Sequence, residues 1–218
     1  MTGMCPALQW IQIRSVATAT VVQRVVEVLA GGGVIVAPTE TVYGLMCRWN
    51  DDAARERIFR MKCRAPEKHL QMLADSLDRA QGAGLLADDR LRRLATAFWP
   101  GPLTVVGKGP AGSTIGLRIP RYPLILEIMR TLGCPLAATS ANLSGRPAAL
   151  DAEGAIADLA EPPDLVLDGG PVAADGGQSS TVVDLSLPGA AQVRRLGPIS
   201  AAAVRRALGE PAAPTDPE

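Results

Sequence analysis

The stretch Val34-Ile-Val-Ala-Pro-Thr-Glu-Thr-Val-Tyr-Gly-Leu45 points to the fold class. It begins with four apolar residues, Val34 to Ala37, a run that predicts a fully buried strand. The run stops at Pro38, which cannot donate to a sheet ladder, and the polar residues 39–41 follow. A buried strand that opens into a polar loop is either a ligand site of an α/β protein or a strand end with a polar turn. This stretch alone favours neither.

Length and composition narrow the possible classes of protein. The 218 residues suit one large domain, and a hydrophobic content of 47% supplies a substantial core. Basic and acidic residues number 22 each, so the formal net charge is zero. This balance argues against binding nucleic acid through overall charge, although it allows a local basic patch. Aromatic residues are only 3%, too few for a platform on which single-stranded bases stack.

Cysteine and histidine usage argues against a metal centre. The four cysteines (Cys5, Cys47, Cys63 and Cys134) have no metal-ligand spacing, and the chain has one histidine. We therefore expect no metal bound by protein side chains and no disulfide framework. The sequence shows neither a signal peptide nor an apolar run that would span a bilayer, which predicts a cytoplasmic protein with no membrane partner.

Hydrophobic periodicity predicts a single α/β domain over residues 15–208. Residues 1–14 form an N-terminal extension that could add an edge strand, and residues 209–218 are predicted to be a disordered tail. The first helix is expected to end near Ala30, with Thr18 or Thr20 as its cap. Strands are predicted at 34–37, 70–73, 103–106, 115–119, 136–139, 165–167, 180–185 and 193–196, and further helices at 53–61, 88–98, 124–131, 153–159 and 200–208.

A basic loop with Lys62, Arg64 and Lys68 follows the predicted helix 53–61. If the segment is extended, Lys62 and Arg64 point to the same side, where like charges repel. Such a pair is either solvated or placed to bind an anion, since arginine and lysine both recognise phosphate and carboxylate. The local sequence favours a solvated loop.

Two further positions carry polar groups on predicted strands or just after them. Arg118 lies in the otherwise apolar segment 115–119, so it is either buried with an anionic partner or placed on an exposed strand face. Ser140 and Asn142 offer a hydroxyl and an amide on one side of the chain, either to a ligand or as a helix cap with an Asx-turn.

Several enzyme classes are excluded by missing motifs. The chain has no Gly-x-x-x-x-Gly-Lys-Ser/Thr sequence and no Gly-x-Gly-x-x-Gly after the first strand, so neither a P-loop nor a dinucleotide-binding turn is predicted. The single histidine, His69, argues against a serine–histidine triad.

Seven motifs in chain order resemble those of the YrdC-like threonylcarbamoyl-AMP synthases. They are Pro38-Thr-Glu-Thr-Val-Tyr-Gly-Leu45, Lys62-x-Arg64 with Lys68, Trp99-Pro-Gly-Pro-Leu-Thr104, Gly116-Leu-Arg-Ile-Pro120, Thr139-Ser-Ala-Asn-Leu-Ser-Gly145, Ser180-Thr-Val-Val-Asp184 and Arg195-x-Gly197. The resemblance runs from about residue 15 to residue 208. It implies an α/β domain with a twisted mixed sheet flanked by helices and a concave, positively lined cavity.

The resemblance also implies a reaction and its partners. L-threonine, bicarbonate and ATP would give threonylcarbamoyl-AMP and pyrophosphate, with Mg²⁺ accompanying the nucleotide. The product would pass to a tRNA threonylcarbamoyl transferase complex that modifies adenosine. The step needs two anions to be neutralised and aligned, and it needs no covalent enzyme nucleophile.

Residue roles follow from the same resemblance. Lys62 and Arg64 would be the catalytic cations. The nucleotide would be bound by Lys62, Arg64, Lys68, Thr114, Asn142 and Arg195. Threonine would be held by Thr41, Arg118, Ser140 and Ser180, with Arg118 on its carboxylate.

The chain departs from the family pattern in three places. His69 stands where proline is usual, and Ala148-Ala149-Leu150 replaces a common Ser-Pro-Thr, which leaves a nucleotide contact near 150 unassigned. We also expect a short form without the extra C-terminal domain of longer members. Two alternatives remain open: a paralogue that binds RNA or ribosomal particles without synthesis, and a carbamoyl-transfer module.

Overall fold

The apolar run at the start of the stretch 34–45 forms a fully buried strand, Ile35–Pro38. The structure is a computed structural model and describes residues 8–65, 68–172 and 177–211. These residues form a ten-stranded sheet. Its strands in chain order are β1 (Gln9–Gln12), β2 (Ile35–Pro38), β3 (Tyr43–Arg48), β4 (Gln71–Leu73), β5 (Leu103–Lys108), β6 (Thr114–Arg118), β7 (Leu136–Ser140), β8 (Leu165–Asp168), β9 (Thr181–Asp184) and β10 (Gln192–Arg195).

The sheet is mixed, as the sequence predicts. Its strand order is β1-β8-β2-β3-β7-β4-β6-β5-β9-β10. It contains four parallel pairs (β1 with β8, β2 with β8, β4 with β6, β5 with β9) and antiparallel ones such as β2 with β3 and β3 with β7. The predicted α/β class with a mixed sheet is confirmed. β1 is an edge strand, so the N-terminal extension joins the sheet.

The helices within the described residues flank this sheet. They are α1 (Thr18–Ala30), α2 (Asp52–Met61), α3 (Leu77–Gly82), α4 (Asp89–Phe98), α5 (Pro123–Leu132), α6 (Ala152–Ala157) and α7 (Ala201–Leu208). α2 starts at a capping carboxylate, Asp51, which accepts the amide of Ala54. α1 follows Ala17, which makes no side-chain cap, so the predicted threonine cap is wrong.

Three apolar clusters fix the layers. α1 and α5 pack on one face of the sheet around Val25, Ile35 and Ile128. On the other face α2 and α6 cover Val36 and Leu45, and α4 and α7 cover the strands from β4 to β9. This division follows from strand alternation, because Ile35 and Val36 point to opposite faces.

The first residues of the predicted C-terminal tail contact the domain. Of the predicted tail, residues 212–218 lie outside the described residues, while the carboxylate of Glu210 lies 3.6 Å from Arg90 and accepts the amide of Ala191. None of the described helices combines the length and the apolar character needed to cross a bilayer.

Candidate active site

A cavity of about 350 Å³ lies on the face of the sheet that α1 and α5 cover further along. It is lined by residues from both halves of the chain. Seven of the ten residues predicted for the site line it: Thr41, Arg64, Thr114, Arg118, Ser140, Ser180 and Arg195. The other three, Lys62, Lys68 and Asn142, do not.

Strand β6 shows why these side chains meet. Successive residues of a strand face opposite sides, so Thr114, Gly116 and Arg118 face the cavity while Ile115 and Leu117 enter the core. Gly116 has no side chain to fill the space above the floor. A Cβ placed there would come no closer than 3.6 Å to a neighbouring side chain, so the space is open. The floor therefore has room for a ligand above it.

Arg118 is buried, with 3% of its surface exposed, and it has the anionic partner that burial requires. Its Nη2 lies 2.8 Å from Oε2 of Glu40, and its Nη1 donates to Oγ1 of Thr41 at 2.9 Å. Oε1 of Glu40 accepts the amide of Arg121. The Nη2–Oε2 contact is not an aligned hydrogen bond within the described part of the chain. Both atoms are buried, so this ion pair fixes the position of the guanidinium at the cavity wall.

The hydroxyl of Thr41 has a defined orientation. Thr39 donates its hydroxyl to the carbonyl of Val42 at 2.8 Å, so the contact of 2.9 Å between the two hydroxyls is a donation from Thr41. Thr41 in turn accepts from Arg118. The polar residues after β2 therefore form one network with the buried arginine.

Lys62 is 1% exposed and lies beneath the turn that follows β7. Its Nζ donates to the carbonyls of Ser140 and Asn142, both at 2.5 Å, and to Oδ1 of Asn142 at 3.1 Å. Burial, and then the charge of Arg64, lower the pKa of Lys62 to about 8. The amide of Asn142 is also used internally, donating to the carbonyls of Leu143 and Arg146. Both residues therefore support the cavity wall from its buried side and do not line the cavity.

The basic loop folds on its own backbone. Arg64 donates to the carbonyls of Lys68 at 2.8 Å and His69 at 3.1 Å, and Arg64 and His69 line the cavity. The side chain of Lys68 is exposed and lies outside the cavity, and residues 66–67 lie outside the described residues. Cys63 takes a left-handed conformation (φ 47°), so the segment is not extended. The expectation that Lys62 and Arg64 share one side is therefore wrong.

Arg195 and Ser180 are held together at the other wall. Arg195 donates to the carbonyl of Ser180 through Nε at 3.1 Å and Nη2 at 2.9 Å. A Cβ at Gly197 would lie 2.3 Å from the carbonyl oxygen of Ser179. Only glycine allows this approach of two backbones, which gives the Arg195-x-Gly197 motif a structural reason.

The sequence did not assign Gln71 and Thr104, although both line the floor. Thr104 donates to Oε1 of Gln71 at 3.0 Å and lies 2.8 Å from the hydroxyl of Ser180. Thr104 ends one of the recognised motifs, which was a usable signal. Gln71 is the polar residue of a predicted apolar strand, and only the pairing of distant strands brings it to the cavity.

The charged side chains described in the cavity lining are positive. Arg64, Arg118 and Arg195 line the cavity, and none of the lining residues that the structure describes is a carboxylate. Among the described residues no group of three histidine, cysteine or acidic side chains could hold a metal ion. Such an arginine-rich lining fits an anionic ligand.

Comparison with known proteins identifies the family. The Sua5/YciO/YrdC family model, described as telomere recombination, matches residues 27–197. The chain is 36% identical over 183 residues to threonylcarbamoyl-AMP synthase of Mus musculus, which covers 78% of this chain and 64% of that protein. A Mycobacterium leprae protein provisionally given the same name is 36% identical over 193 residues, 84% of this chain and 86% of that one. Sua5 of Pyrococcus abyssi complexed with L-threonine has a TM-score of 0.82 and 28% identity, over 93% of this chain and 61% of that chain. The chain therefore belongs to the Sua5/YciO/YrdC family.

Proposed function

We propose that this chain joins L-threonine, bicarbonate and ATP into threonylcarbamoyl-AMP, with release of pyrophosphate and of the water that leaves when bicarbonate condenses with the amine. One observation supports the proposal most: within the described residues, a single cavity combines three arginines with oriented hydroxyl groups and no carboxylate. The names of the relatives support the same activity.

The amino-acid half of the site is built on strands. Arg118 lines the cavity and would bind the carboxylate of threonine, while Thr41, Ser140 and Ser180 line the same cavity. Glu40 and Thr41 orient the guanidinium of Arg118 before the carboxylate arrives. This preorganisation favours a fixed position for the threonine nitrogen that carries the carboxylate from bicarbonate.

The phosphate half is formed by Arg64, Thr114 and Arg195, with Lys68 at its margin. A carbamate oxygen would bond to the α-phosphorus of ATP while the bond from that phosphorus to the bridging oxygen breaks, and pyrophosphate leaves. The guanidinium groups would neutralise charge on both anions and on the leaving group. Lys62 and Asn142 would hold the wall in place, and Lys62 would add charge near the phosphates.

Magnesium would arrive with the triphosphate, since the part of the lining that the structure describes offers arginines and no carboxylate. We further propose that the product passes to a tRNA threonylcarbamoyl transferase complex and that the protein acts in the cytoplasm.

Incubation with labelled bicarbonate, threonine and ATP tests the activity. We expect labelled threonylcarbamoyl-AMP and one pyrophosphate for each product formed. Absence of both overturns the proposal. Turnover with carbamoyl phosphate in place of threonine would favour a carbamoyl-transfer module, and salt-sensitive RNA binding without turnover would favour an RNA-binding paralogue.

Variants of the two predicted catalytic cations test the site. Lys62→Ala and Arg64→Ala should each reduce synthesis by roughly 100-fold or more, because charge stabilisation of the transition state is lost. Lys108→Ala and Arg130→Ala are matched controls, since both residues are exposed and lie outside the cavity. Rates equal to the controls would remove the basic loop from the mechanism.

A further inference from the structure

Four side chains form a directed row of hydrogen bonds across the cavity floor: Gln71, Thr104, Ser180 and Arg195. Gln71 is on β4, Thr104 is on β5, and Ser180 lies just before β9. Their contacts are 3.0 Å from Thr104 to Gln71 and 2.8 Å between Thr104 and Ser180. Nη2 of Arg195 reaches the Ser180 hydroxyl at 3.3 Å.

The direction of each bond follows from the number of protons. Oε1 of Gln71 can only accept, so the single hydroxyl proton of Thr104 is committed to it. Ser180 must then donate to Thr104, and the Ser180 oxygen accepts from Arg195, which can only donate. The row therefore runs from Arg195 to Gln71, and it ends at the amide nitrogen Nε2.

That nitrogen is the free end of the row. Within the described part of the chain Nε2 of Gln71 donates no hydrogen bond, and Gln71 lines the cavity. Oε1 is held by Thr104, so the amide cannot rotate freely. The cavity therefore presents a fixed pair of N–H donors at Gln71 beside the unused lone pairs of Thr104 and Ser180.

A residue without a side chain, Gly116, makes the Gln71–Thr104 hydrogen bond possible. Gly116 lies on β6, between β4 and β5, and its missing Cβ would stand 3.8 Å from Cβ of Gln71 and 3.6 Å from Cγ2 of Thr104. The Gln71–Thr104 hydrogen bond therefore spans the glycine. Val106 and Val182 line the same floor and supply apolar surface beside the polar row.

We propose that Gln71, oriented by Thr104, is a specificity-determining residue that recognises the side-chain hydroxyl of the amino-acid substrate. A hydroxyl oxygen would accept from Nε2, its proton would go to a lone pair of Thr104 or Ser180, and a methyl branch would contact the valines. The site thereby selects an α-amino acid with a hydroxyl on its β-carbon over the isosteric valine. This inference rests on the proposed function.

Direct binding distinguishes this inference from the proposed function. Calorimetric titration of the full chain with L-threonine, L-serine and L-valine gives the ratio of the valine to the threonine dissociation constant. Wild-type protein should favour threonine over valine, and Gln71→Leu should reduce that ratio by roughly tenfold, since one hydrogen bond of the bound hydroxyl is lost. Gln71→Met fills the same length without a donor and should behave alike if the leucine variant folds poorly. Gln192→Leu is the control, an exposed strand glutamine outside the cavity, and should keep the wild-type ratio.

An unchanged ratio in both folded Gln71 variants overturns the inference, and so does a wild-type protein that binds neither amino acid. A protein that prefers threonine through Gln71 yet makes no threonylcarbamoyl-AMP would overturn the proposed function and support this inference.

Discussion

Lys62 and Arg118 are both buried cations at the walls of one cavity, and they are compensated in different ways. Arg118 contacts a carboxylate, that of Glu40, at 2.8 Å. Within the described ranges Lys62 contacts only neutral oxygens, two carbonyls and one side-chain amide. Dipoles compensate a buried charge less completely than an opposite charge does, so burial lowers the pKa of Lys62 to about 8.

The difference separates the two halves of the proposed site. A guanidinium remains protonated at any ordinary pH, so the amino-acid half has a permanent charge in place before a ligand arrives. The charge of Lys62 depends on pH and on the anions around it. In the phosphate half, which also contains Arg64 and Arg195, Lys62 is therefore the cation whose protonation a bound nucleotide can complete.

The largest effect is expected for Arg118→Met, which leaves the carboxylate of Glu40 buried without its partner. We expect a loss of about 3 kcal/mol in the free energy of unfolding, as for other buried pairs that lose one member. Urea denaturation measures it. In the double variant with Glu40→Gln the uncompensated charge is gone, so much of the loss should return. A double variant as unstable as Arg118→Met would show that the ion pair is not the reason.

Lys62→Met should lower the free energy of unfolding by less, about 2 kcal/mol. The buried oxygens of Ser140 and Asn142 lose their hydrogen-bond donor, which destabilises the variant. The variant also avoids burying an ammonium group, which offsets part of this loss. Thermal and urea unfolding of this variant beside Lys108→Met give the comparison. A loss as large as that of Arg118→Met would contradict the distinction between the two cations.

The pH dependence of nucleotide binding gives a third test. At pH 8 Lys62 is about half protonated in the free protein, and a bound phosphate favours the charged form and raises its pKa. Binding of ATP should therefore take up roughly half a proton at pH 8, and affinity should fall as the pH rises further. Calorimetry in buffers of different ionisation enthalpy measures the uptake. Equal uptake by Lys62→Met would assign it to another group.

The smallest effect concerns the backbone that carries the phosphate half. Cys63 has a left-handed conformation and an exposed side chain, so Cys63→Gly removes strain and loses no packing. We expect a gain of about 0.5 kcal/mol in unfolding free energy, after the higher entropy of the unfolded glycine chain is subtracted. Cys63→Ala retains the strain, so a similar gain in that variant would refute the explanation.

Local pattern predicted the strand half of the site better than the loop half. Alternation along β6 placed Arg118 on a defined face, and a buried arginine required an anion. The identity of that anion, Glu40, was not predictable, because the two residues are 78 positions apart in the sequence. The turn at Cys63 was missed since glycine usually marks such a conformation. Gln71 was missed because its role depends on strand pairing with β6 and its reach across Gly116.

The position of β8 in the sheet has a consequence for synthesis of the protein. β8 separates β1 from β2 and pairs in parallel with both, but it lies at Leu165–Asp168, far later in the chain. At typical translation speeds the ribosome needs on the order of ten seconds to reach it after β2 has emerged. Throughout this interval the β2 edge of the nascent β2–β3 hairpin is apolar and unpaired. This is the stage at which chaperone binding and aggregation of the growing chain are expected to compete with folding.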